Sequence, residues 1–60
     1  MKIKLFKNGA YTIFERVSPS GFYSVKLFTP TDTIHDRILC DTLTGAREYL
    51  RAFNKIAKSL

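Results

Sequence analysis

The sequence is poor in the residues from which reactive centres are built. Tryptophan is absent, and cysteine, methionine and histidine occur once each. A lone Cys40 excludes an internal disulfide framework and fits a reducing, cytoplasmic setting. One histidine and one cysteine cannot assemble a recognisable zinc cluster. Asp32, Asp36 and Asp41 are too dispersed for a calcium loop. His35 and Cys40 lie five apart on a predicted strand and therefore point to opposite faces. Glycine occurs three times, and Asn8-Gly9 and Ser20-Gly21 read as turns, not as a phosphate-cradling loop. No nucleophile, acid and base converge, so the chain is read as non-enzymatic, with no cofactor and no metal. No apolar run is long enough to cross a bilayer, and Met1–Lys7 is too polar for a signal peptide. Acidic residues are scarce as well, five against ten Lys and Arg.

That imbalance is the first positive signal. A formal net charge of +5 and a pI near 9.7 favour an anionic partner, nucleic acid above all. Sixty residues make one domain, residues 1–60, near the lower limit for folding alone, which keeps oligomerisation open. The last third is the organising element. Ala46, Tyr49, Leu50, Phe53, Ile56, Ala57 and Leu60 recur at helical spacing, with Arg47, Glu48, Arg51, Asn54, Lys55 and Lys58 on the opposite face. A helix over about 43–58 is predicted, with Thr42 as the favoured N-cap and Gly45 awkward in the first turn. Lys55 and Lys58 suit the negative end of its dipole.

Upstream, strands are predicted over about 2–7, 10–17, 22–29 and 34–40, the fourth weaker because Asp36 interrupts it. Asn8-Gly9 is a strong signal for a two-residue hairpin loop. Ser18-Pro19-Ser20-Gly21 and Pro30-Thr31-Asp32-Thr33 read as four-residue loops. The fold class is α+β: a three- or four-stranded antiparallel meander followed by one C-terminal α-helix packed on one face. The loop lengths fix the register, and paired residues share a face. Ile3, Leu5, Thr12, Phe14, Tyr23, Val25, Leu27, Ile34, Ile38 and Cys40 are then expected beneath the helix. The outer face receives Lys2, Lys4, Phe6, Tyr11, Ile13, Glu15, Val17, Phe22, Ser24, Lys26, Phe28, His35, Arg37 and Leu39. Glu15 is expected to pair with Lys2 or a diagonal lysine. Tyr49, Phe53 and Cys40 are expected in the core.

An outer face that mixes aromatic, aliphatic and cationic side chains is not an ordinary solvated surface. Three readings follow: nucleic-acid binding, protein association through a sheet-to-sheet homodimer, or a register error in one strand or a curl of the sheet around the helix that returns some of these residues to the core. From Tyr23 the chain reads Tyr-Ser-Val-Lys-Leu, a turn, a strand, Cys40-Asp41-Thr42, and Ala46 four residues after that threonine. This pattern resembles the DNA-binding domain of plant ethylene-response factors and the arm-binding domains of tyrosine-recombinase integrases. The resemblance implies that the sheet face away from the helix enters the DNA major groove. Its tryptophan is missing here, and arginine is scarce where those families are rich in it. The expected function is binding of nucleic acid, DNA before RNA. Lys4, Lys26 and Arg37 are assigned to phosphates, and Tyr11, Phe22 and Phe28 to stacking or apolar contact. The rival is a homodimeric protein-interaction module, a small adaptor or inhibitor of the kind phages and plasmids encode.

Overall fold

In a computed structural model, which describes residues 1–19 and 21–60, four strands precede one helix: β1 (Lys2–Leu5), β2 (Tyr11–Arg16), β3 (Tyr23–Phe28), β4 (Ile34–Cys40) and α1 (Leu43–Ser59). The strands form a single antiparallel sheet in the order β1-β2-β3-β4. The expected α+β meander with a C-terminal helix is the fold, and its fourth strand is real.

The middle hairpin has the predicted register, with Thr12 opposite Leu27 and Glu15 opposite Ser24. Val17 N–H donates to Phe22 O, and Gly21 takes the positive φ of the turn; Ser20, the third residue of this predicted loop, lies outside the described residues. The first hairpin differs from expectation by one residue. Lys2 pairs with Phe14, Ile3 with Ile13, Lys4 with Thr12 and Leu5 with Tyr11. The reason lies in the turn. A type I′ turn needs positive φ at Asn8 as well as Gly9, but of the two only Gly9 has it, at 95°. Phe6 N–H donates to Ala10 O (2.9 Å) and Gly9 N–H to Phe6 O (3.0 Å). This is a three-residue loop, a type I turn closed by a left-handed glycine. The Asn8 side chain is engaged elsewhere: Nδ2 donates to the carbonyls of Ala57 and Leu60, both at 2.8 Å, and Oδ1 accepts from Ala10 N–H at 2.9 Å. The hairpin tip is thereby clipped to the end of α1.

The third hairpin uses the same three-residue grammar. Thr29 N–H donates to Thr33 O, Asp32 N–H to Thr29 O, and Asp32 takes the left-handed position at φ 66°, which Asp tolerates better than most side chains. The register then changes beside Leu27 and Phe28, so that Leu27 faces Asp36 but Phe28 faces Ile34. His35 occupies the irregularity.

These two turns correct the face assignment. Lys2, Lys4 and Phe6 belong to the helix side, and Ile3, Leu5 and Ile34 to the outer side, because a one-residue slip inverts a whole strand. Lys2 and Glu15 consequently lie on opposite faces and do not pair.

The core sits between β3 and α1. Val25, Leu27, Ala10, Cys40, Ala46, Phe53 and Ala57 are buried, with Phe6, Phe14, Tyr23, Ile38 and Leu50 packed around them. The Thr42 hydroxyl accepts from Gly45 N–H at 3.1 Å, the predicted cap. Thr12, almost fully buried, donates to Asn54 Oδ1 at 3.1 Å, which satisfies a polar group that burial would otherwise penalise. Tyr49 departs from expectation. It is 45% exposed and meets Phe53 edge-on at 6.3 Å, lining an open hollow with Ile38 and Cys40 on the β4 side of α1.

Candidate nucleic-acid interface

The residues singled out from sequence fall on two different sides of the sheet. Tyr11, Lys26, Phe28 and Arg37 lie on the outer face, where pairing places Tyr11 beside Phe28 and Lys26 beside Arg37; Phe22, just before β3, lines a hollow with Cys40, Thr42, Gly45 and Tyr49 near the start of α1. The Tyr11 and Phe28 rings stack at 4.7 Å with 8° between planes, and the Tyr11 hydroxyl donates to the Asp32 carboxylate. That hydrogen bond is the main reason the phenol titrates above its ordinary 10.0, with desolvation and the Asp32 charge adding to it. Lys4 is on the helix side.

The exchange changes the chemistry of both surfaces. The outer face loses Lys2, Lys4 and Phe6 and gains Ile3, Leu5 and Ile34. Leu5 is 75% exposed, Leu39 60% and Ile3 54%. Lys26, Arg37 and Glu15 are the charged members left on its paired strands. A hollow of about 320 Å³ on this face is lined by Ser24, Lys26, Arg37, Ile38 and Leu39.

On the helix side, α1 lies over β3 with β2 and β4 at its flanks and stops short of β1. The uncovered strip is a groove. One part, about 390 Å³, is lined by Lys2, Ile3, Lys4, Thr12, Phe14, Leu50 and Asn54. A second, about 380 Å³, is lined by Phe6, Lys7, Asn8 and Lys58. The two adjoin, since Lys4 Nζ stands 5.5 Å from the centre of the Phe6 ring. Leu50, Asn54 and Lys58 form one i, i+4 row along the groove, and Arg47, Arg51 and Lys55 form the next row out. No carboxylate is among the described residues lining either part. Asp32, Asp36 and Asp41 belong to the opposite edge of the sheet, around β4.

Sequence reasoning missed this groove because Lys2, Lys4 and Phe6 had been placed on the other face. The signal that could have found it is Asn8, whose amide caps the end of α1 from the longer turn. Among the described residues no group of His, Cys, Asp and Glu is gathered to hold a metal ion, and no helix is long and apolar enough to cross a membrane. No protein-family model, curated protein or solved structure matches the chain.

Proposed function

We propose that this is a non-enzymatic nucleic-acid-binding domain that holds the phosphate backbone of a single strand in the groove between β1 and α1. The observation that carries the reading is the lining: Lys2, Lys4, Lys7 and Lys58 around an aromatic floor of Phe6 and Phe14, with no acid among them. Lysine supplies mobile, strongly hydrated cations that follow a backbone without reading sequence. Exposed aromatic edges between them offer bases a surface to stack on. The second helical row, Arg47, Arg51 and Lys55, extends the positive field beyond the groove. The reading differs from what the resemblance to ethylene-response factors implies, where the sheet face away from the helix meets DNA. Here that face holds Lys26 and Arg37 with Glu15 amid exposed aliphatics, a poor match for phosphates.

Anisotropy of a labelled single-stranded oligonucleotide, measured from 50 to 200 mM salt, tests the proposal. Four neutralised phosphates give a slope of roughly −2.8 in log K against log salt, or about 50-fold weaker binding across that range. Lys4→Ala and Lys58→Ala should each reduce the slope by about 0.7. Absence of binding at 50 mM salt refutes the reading. So does a slope that ignores Lys4 and Lys58 but collapses with Lys26→Ala and Arg37→Ala, which would return the site to the outer face.

A further inference from the structure

The outer sheet face calls for a separate explanation, independent of the groove. We infer that it is covered by a second copy of this chain, packed face to face about a two-fold axis running along the strands between β2 and β3.

Area is the first argument. Strands about 4.8 Å apart and about 3.4 Å per residue give a face of roughly 20 by 20 Å. That is on the order of 400 Å² in projection, about half the ~800 Å² per partner of a standard interface before side-chain relief is counted. Leu5, Leu39, Ile3 and Ile34 are all exposed on it. A monomer seldom leaves so much apolar surface contiguous and bare. The helix side cannot compensate, because three of its buried apolar residues are alanines, Ala10, Ala46 and Ala57.

Charge identifies the occupant. A contact between identical copies must be self-complementary. Pairing sets Glu15 level with Ser24, and Lys26 one row away on the same strand as Ser24. The proposed axis lays β2 of each copy over β3 of the other and keeps the rows level. Each Glu15 then stands above Ser24 of the second copy, about 7 Å along the strand from that copy's Lys26, within reach of a lysine side chain. The symmetry makes this pair twice. The same operation lays β1 over β4, so Leu5 meets Ile34 and Ile3 meets the aliphatic stem of Arg37. Both grooves stay open on the far sides of the dimer.

Sedimentation equilibrium of the full chain should give twice its 6.9 kDa mass. Glu15→Lys and Lys26→Glu should each weaken the dimer about tenfold or more by placing like charges together, and the double variant should recover it. Leu39→Lys, on a solvent-facing position of an edge strand, should dissociate it while circular dichroism stays native. A monomer at millimolar concentration overturns the inference. A dimer that survives both Leu39→Lys and the single charge reversals overturns it too. Lys4→Ala and Lys58→Ala should leave the mass at the dimer value, which separates this result from the fate of the groove proposal.

Discussion

Replacing Asn8 separates two explanations of the first turn. If Asn8 matters for turn propensity, Asp should serve nearly as well, since both favour such positions. If it matters as a clip, Asp should fail. Asn8 Nδ2 donates to Ala57 O and Leu60 O, and Oδ1 accepts from Ala10 N–H. Three hydrogen bonds at about 0.5–1.5 kcal/mol each, with the exposed Leu60 bond at the low end, amount to roughly 2–3 kcal/mol. Asn8→Ala forfeits all three. Asn8→Asp keeps the acceptor but turns a carboxylate toward two carbonyls at the negative end of α1, a repulsion of about 0.3–1 kcal/mol. Its cost should therefore equal or exceed that of alanine. A domain of this length has on the order of 3–9 kcal/mol of stability in all, and each kcal/mol moves Tm by about 4–8 °C. Thermal unfolding by circular dichroism should show both variants melting roughly 10–20 °C lower. Asn8→Asp within about 0.5 kcal/mol of the parent would refute the clip.

Other consequences follow from the same contacts. Thr42→Ala should cost about 1 kcal/mol in urea unfolding by removing the cap. A Cβ on Gly45 would stand 2.9 Å from Thr42 Oγ1, so Gly45→Ala should gain nothing in the parent but about 1 kcal/mol in the Thr42→Ala background, where only helix propensity remains. The Tyr11 phenol keeps its proton to higher pH folded than unfolded, so its bond to Asp32 contributes fully below pH 10.0 and is lost as pH rises through the raised folded value. Tyrosinate absorbance should show Tyr11 titrating late, with its midpoint lowered in Asp32→Ala.

Much of the architecture was legible because the patterns that encode it are local. The period of Ala46, Phe53 and Ala57 marks the buried stripe of α1, and Thr42 marks its start. Ser18-Pro19 and Gly21, with alternation on either side, were enough to set the register of β2 against β3. What was not legible depends on distant contacts. Asn8-Gly9 is compatible with a two-residue or a three-residue loop, and the choice is made by carbonyls at Ala57 and Leu60, some fifty positions away. Pro30–Thr33 conceals a similar choice, resolved by Asp32 adopting a left-handed conformation. Tyr49 was misplaced for another reason: periodicity reports which residues could face the sheet, not which strands the helix lies across.

The one-residue difference in β1 has a functional consequence out of proportion to its size. With the two-residue loop, Lys2 and Lys4 would have stood among Tyr11, Ile13 and Lys26, making one mixed surface to serve both for phosphates and for association. With the observed loop the two chemistries separate. The apolar side chains of β1 join Leu39 and Ile34 on one side, and its lysines join Lys7 and Lys58 on the other. A sheet face used for dimerisation is then never in competition with a groove used for nucleic acid, and a dimer presents two grooves with twice the charge. Two sites held by one rigid body bind a long strand with an effective local concentration that a monomer lacks. Leu39→Lys should therefore weaken binding to an oligonucleotide long enough to reach both grooves while leaving a short one unaffected. Equal loss on both lengths would refute the two-groove reading, and tighter binding on both would mean that the outer face touches nucleic acid itself.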